Sequence, residues 1–197
     1  MTDRARIFLL SPASLSGRRG QLLLGSQSAD LARRLHAGSA VPLGEVFTFI
    51  SSLYFRGKLT YARAFAANRT YVITTSRGLL PPDTPVTLEM LHEFSRVPID
   101  AGESAFVGPL ERDVQRLCGE AGEVVLLGSV ASTRYTVPLL RHLGTRLLFP
   151  TTFVGRGDMS RGGVLLRAVS DGRELEYAPV AQTVLHGKRP PKLSSVT

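Results

Sequence analysis

Short apolar runs alternate with stretches of helical periodicity along most of the chain. Arg6 to Leu10, continuously apolar after the arginine, predicts a buried strand, which Ser11-Pro12 stops because proline disfavours helix at the preceding residue. From about residue 18 to 35, Leu24, Leu31 and Leu35 recur at helical spacing, with a kink or a break at Gly25. Val46, Phe47, Phe49 and Ile50 give residues 45–50 the aromatic and β-branched content of a strand, and Ser51 or Ser52 stands where it can cap a helix over 53–66. In that helix Phe55, Leu59, Ala62 and Ala66 form one apolar stripe. Tyr54, Lys58, Tyr61 and Phe65 form the neighbouring one.

Residues 70–75, TYVITT, predict another strand, and a proline-stiffened loop leads from it to a helix over about 87–95. Gly108-Pro109 predicts a helix start, with Leu110, Val114, Leu117 and Cys118 on one face. Strands follow at 123–127 and 146–149, separated by a helix that aligns Tyr135, Leu139 and Leu143. Residues 164–169 and 173–177 flank Ser-Asp-Gly, a hairpin signal centred on Asp171-Gly172. Together these elements predict an α/β fold: a single compact domain over residues 1–186, with a mixed sheet flanked by helices and a C-terminal antiparallel hairpin. Residues 187–197 are basic and proline-containing, and read as a tail.

Composition sharpens the partner more than the fold. A chain of 197 residues with 43% hydrophobic content buries a full core. Its formal net charge of +8 favours an acidic partner, DNA or a nucleotide, and nearly all the cationic residues are arginines, which match phosphate oxygens bidentately. Cys118 is the sole cysteine, so no disulfide-linked partner and no cysteine metal cluster are expected, in keeping with a cytoplasmic protein. The first apolar run is too short for a signal peptide or a membrane span. His36, His92, His142 and His186 lack ligand spacing, so neither a metal site nor another cofactor is expected.

Candidate chemistry gathers in two glycine-rich basic segments. In residues 153–163, FVGRGDMSRGG, glycines including Gly157 surround Arg156, Asp158 and Arg161, a composition suited to holding an anion against bare peptide groups. Residues 11–20 carry Ser11, Ser14, Arg18 and Arg19 in the same character. If the two segments meet at one sheet edge, they form one site. Gly128 and Ser129 lie at a strand end just before a helix, a position suited to phosphate or carboxylate. Lys58 sits between two tyrosines on one helix face, where it is an anion contact, an activated amine or, in the plainer reading, a snorkelling side chain. Asp83, in the proline-rich loop, is a candidate carboxylate or a turn aspartate.

Five segments in one order resemble the peroxide-stress-response YaaA family. FLLSPAS looks like that family's strand and SPAK start, and VFTFISSLYFRGKLTYA looks like its strand leading into a tyrosine-glycine turn. GLLPPDTPVTLEM, LLGSVASTRY and VGRGDMSRGG resemble its GxLxPxD…PYRLEM, LASxEY and KxARGxMxR blocks. Ser14 stands where the family has lysine, Val86-Thr87 replace a tyrosine-arginine pair, and Val154-Gly155 replace lysine and alanine. The resemblance spans about residues 7–166. It implies one α/β domain, DNA binding and a role in limiting iron-driven oxidative damage.

Two functions are open on these residues. One is binding of a phosphate-bearing ligand, DNA first, by the arginines of the two segments. The other is an enzyme acting on a nucleotide or modified base, by N-glycosidic cleavage or base exchange, with Asp158 or Asp83 as base or nucleophile. A pocket enclosing Asp158, Ser11 and Asp83 together would favour the second. An open basic groove without a buried carboxylate would favour the first.

Overall fold

All four residues of Ile7–Leu10 are buried, so this run forms the central strand β1 of the sheet. A computed structural model describes residues 6–66, 68–120 and 122–182; the tail at 187–197 lies outside the described residues. After β1 come helices α1 (Arg18–Gly25) and α2 (Asp30–His36), separated beyond Gly25 as a break there predicts. A short strand β2 (Val41–Pro42) precedes the long helix α3 (Leu43–Ala66), which is followed by β3 (Thr70–Ile73), β4 (Leu79–Leu80) and β5 (Pro85–Val86). Helices α4 (Leu88–Arg96) and α5 (Ser104–Glu120), strand β6 (Val124–Leu127), helix α6 (Thr133–Leu143), strand β7 (Leu147–Pro150), helix α7 (Asp158–Ser170) and strand β8 (Tyr177–Pro179) complete the order.

Six strands form a mixed sheet in the order β4-β3-β1-β6-β7-β8. The four inner strands run parallel, and β4 and β8 close the two edges antiparallel. Buried on both faces, the inner strands read as unbroken apolar runs. Phe8 and Leu10 point into one core with residues of α1 to α4 and α7, while Ile7 and Leu9 point into a second with α5 and α6. Period-two alternation along a single strand thus serves both helical layers.

The chain leaves β1 for β3 on one side of the sheet, and later places β6 and β7 on the other. The segment after β1 feeds α1 on one face, and the segment after β6 feeds α6 on the opposite face. A crevice therefore opens between them at the carboxyl ends of β1 and β6, where α/β folds place ligands.

Several elements depart from the sequence-based expectation. Residues 45–50 are helical rather than a strand: Leu43, Val46, Phe47 and Ile50 fall at i, i+3, i+4 and i+7, and burial of that stripe outweighs β propensity. Ser52 does not cap a new helix. It bends α3 from within, at φ 49° and ψ −125°. Helix α5 begins at Ser104, ahead of Gly108-Pro109, and keeps Pro109 inside it. The antiparallel closure of the sheet exists, but it pairs β7 with β8, and residues 164–169 are part of α7. Asp171-Gly172 ends that helix instead of turning a hairpin. Gly172 has φ 61° and donates to Val169 O, and Arg173 donates back to Ala168 O, which is a Schellman closure. Both motifs use glycine's left-handed backbone, so the dipeptide alone does not separate them.

Candidate functional site

The crevice holds a pocket of about 540 Å³ lined by the segment after β1, the segment after β6, the bend of α3 and the start of α7. Ser11, Ser14, Gly17, Arg18 and Arg19 come from the first, and Ser129, Ser132, Arg134 and Tyr135 from the second. Ile50, Ser51 and Tyr54 come from α3, and Asp158 from α7. A neighbouring pocket of about 590 Å³ shares Ala13, Ser14, Ile99 and Arg134 with it, so the recess extends along the strand ends toward α4. Each volume lies in the range of roughly 300–1,000 Å³ that ligand sites occupy.

The two basic segments do meet, although not as two loops. Residues 158–163 are the first turns of α7, and Gly162 serves helix packing. A Cβ on Gly162 would lie 2.8 Å from Leu53 O, and one on Gly57 would lie 2.8 Å from Gly162 O, so α3 and α7 touch backbone to backbone here. That contact brings Asp158 and Arg161 beside Tyr54 and Lys58.

Three helices begin at the pocket: α1 at Arg18, α6 at Thr133 and α7 at Asp158. None has a side-chain cap on its first turn. Their amide groups and dipole ends create a positive local field. Arg18 and Arg134 are exposed at the pocket, and among the described residues neither guanidinium has a hydrogen-bond or ion-pair partner. Arg19 also lines it, tied by a 3.1 Å bond from Nη1 to Phe49 O.

Beneath this rim the floor is polar and buried. Lys58 is 1% exposed, and its Nζ donates to Ser11 O at 2.7 Å and Ser11 Oγ at 3.0 Å. It lies 4.5 Å and 4.8 Å from the ring centroids of Tyr54 and Phe55. The side chain therefore does not snorkel. Burial lowers its pKa to about 7, with Asp158 opposing and Arg161 reinforcing the shift. The Tyr54 hydroxyl is buried without a hydrogen-bond partner among the described residues, and burial pushes its phenol well up, Arg161 opposing. Gly128 is needed for close approach, because a Cβ there would sit 2.8 Å from Ser11 Cβ and 3.0 Å from Ser11 Oγ. Ser129 N–H donates to Tyr135 Oη at 2.9 Å, fixing the turn after β6.

The remaining sequence candidates lie at the margin or elsewhere. Asp158 is at the lip, 66% exposed, where its carboxylate meets Arg161 at 3.4 Å. Gly157 caps α7 beside it. Arg156 donates to Thr152 O and Ser160 Oγ, and Arg161 donates to Phe153 O with its side chain only 13% exposed; neither lines the pocket. Asp83 pairs with Arg63 and does not line it either. Arg134, Ser132, Tyr135 and Tyr54 are lining residues that sequence reasoning did not select. Arg134 had a signal, since it opens the helix after the same strand end that singled out Gly128 and Ser129.

Among the described residues no group of three or more His, Cys, Asp or Glu side chains is arranged to hold a metal ion. No helix among them is long and apolar enough to cross a membrane. Compared with known proteins, the chain matches no family model, no curated protein and no solved structure.

Proposed function

We propose that this chain binds a phosphate-bearing ligand, DNA before a free nucleotide, in the crevice at the ends of β1 and β6. The observation that carries the reading is the convergence of three helix N-termini without side-chain caps on one pocket rimmed by Arg18 and Arg134, whose guanidinium groups have no partner among the described residues. Amide donors and guanidinium forks offer an anion charge-assisted hydrogen bonds without first breaking an ion pair. The adjoining pocket, reached past Ser14 and Arg134, gives a strand of nucleic acid somewhere to continue. The YaaA resemblance supplies the setting, an oxidative-stress response, and a cytoplasmic location fits it. Fluorescence anisotropy with labelled duplex, junction and single-stranded DNA at low salt tests the reading. Retention that weakens steeply as salt rises is expected. No retention of any of the three rejects it.

A second reading, an enzyme acting on a nucleotide or modified base, keeps Asp158 as base or nucleophile because Asp158 lines the same pocket as Ser11. Asp83 has no part in it. Chromatographic detection of free base released from nucleoside or nucleic acid, lost in Asp158→Asn, is the corresponding test.

A further inference from the structure

Lys58 is a buried amine beneath the pocket, set behind Ser11 and not itself among the lining residues. Among the described residues no carboxylate stands within ion-pairing distance of it, and its hydrogen bonds go only to Ser11. An ammonium in such a place is costly unless paired, whereas a neutral amine fits well. As an ammonium, Nζ donates to both Ser11 O at 2.7 Å and Ser11 Oγ at 3.0 Å; a neutral amine in the same place keeps the first bond and has a lone pair within reach of the Oγ proton. Ser11 itself lines the pocket. A hydroxyl is thus held between a base behind it and a ligand recess in front.

We propose that Ser11 Oγ is a nucleophile activated by Lys58 Nζ as general base, acting on a phosphoester of the ligand bound in the pocket. The inference rests on the anion-binding reading only for the substrate's place. In the first step Oγ forms a bond to phosphorus, its proton passes to Lys58 Nζ, and the P–O bond to the alcohol breaks. The departing oxygen takes the proton back from Lys58. A water then attacks phosphorus, giving its own proton to Lys58, and Ser11 Oγ leaves and recovers that proton, so the sum is hydrolysis of one ester bond. Arg18, Arg19 and Arg134 at the rim and the first turns of α1, α6 and α7 supply the positive field for charge on the phosphoryl oxygens. Serine-lysine pairs are an accepted variant of the nucleophile-base arrangement.

Incubation of the whole chain with a fluorophosphonate, followed by intact-mass and peptide mass spectrometry, tests the pair. Expected is one adduct per chain, on Ser11, absent in Ser11→Ala. The groups facing Lys58 are Ser11 from the end of β1, Tyr54 and Phe55 from its own helix, and Asp158 and Arg161 from α7. The labelling rate of the wild-type chain should rise about tenfold from pH 6 to pH 8 as Lys58 loses its proton, and fall at least ~100-fold in Lys58→Met. The pH profile needs no variant, so a misfolded Lys58→Met leaves the test intact. No adduct at Ser11, or one whose rate is indifferent to pH over that range, overturns the proposal. DNA retention measured beside it separates the two readings: a chain that retains DNA yet leaves Ser11 unlabelled overturns only the nucleophile, and one labelled at Ser11 that retains no DNA overturns only the binding.

Discussion

Lys58 and Gly128 show how single residues set the character of this crevice. The lysine is folded into a site where its charge is disfavoured, with a pKa lowered from 10.5 to about 7. Between those two values the unfolded chain holds a proton that the folded chain lacks, so stability rises with pH across this window. The gain is complete above the unfolded pKa, shrinks progressively as pH falls from there, and is fully lost once pH has passed below about 7. Urea unfolding between pH 7 and pH 9 should show the wild-type chain gaining up to ~1.4 kcal/mol per pH unit relative to Lys58→Met. Equal slopes in the two chains would show that the amine is not titrating in this window. Gly128 acts by the atoms it lacks. An added methyl would press on Ser11 Cβ at 2.8 Å, so Gly128→Ala should cost ~1–3 kcal/mol and displace Ser11 from Lys58. Calorimetric melting reads the first effect, and loss of Ser11 labelling reads the second.

At the level of elements, the α3–α7 pair builds the floor. Helix α3 bends at exposed Ser52, whose φ of 49° and ψ of −125° favour glycine, so that Ile50, Ser51 and Tyr54 all reach the pocket. Ser52→Gly should therefore stabilise the chain by ~1 kcal/mol, raising its melting midpoint, and a lowered midpoint would mean that the serine makes compensating contacts. Below the bend, Gly57 and Gly162 let the two backbones meet, and this closeness alone sets Asp158 and Arg161 next to Tyr54 and Lys58. Gly162→Ala should destabilise by ~1–3 kcal/mol and weaken ligand binding at the same time, because wedging the helices apart opens the floor. Thermal melts and anisotropy on the same sample check the coupling. Destabilisation with unchanged affinity would separate the helix contact from the site.

Across the whole molecule, positive charge is distributed unevenly in its use. Arg6, Arg34, Arg63, Arg77 and Arg141 each pair with a carboxylate, so much of the arginine content does structural work at the surface, where each pair is worth ~0–1 kcal/mol. Arg18 and Arg134 sit apart from that pattern, at the topological switch point. If they contact phosphates, Arg18→Ala and Arg134→Ala should each lower the slope of log affinity against log salt by about 1, and weaken binding to many sequences alike. Arg33→Ala, on α2 and paired with Asp30, is the control that should leave the slope unchanged.

Much of this architecture was legible from local pattern. Ile7–Leu10, Val124–Leu127 and Leu147–Pro150 are apolar runs flanked by turn residues, and a strand buried on both faces needs little more to be recognised. The basic glycine segments were equally visible, because composition survives without coordinates. Where one local signal serves two conformations, the sequence could not choose. Asp171-Gly172 suits a hairpin and a helix end alike, and residues 45–50 carry both a strand's composition and a helix's spacing. The floor of the pocket belonged to tertiary structure alone. Lys58 and Ser11 are separated by 47 positions, and whether a lysine on an aromatic stripe meets water or is sealed depends on what covers it. Periodicity records which residues share a face. Desolvation and the partners that set a pKa are properties of the space between elements, and only the packing of α3 against β1 and α7 fixes that space.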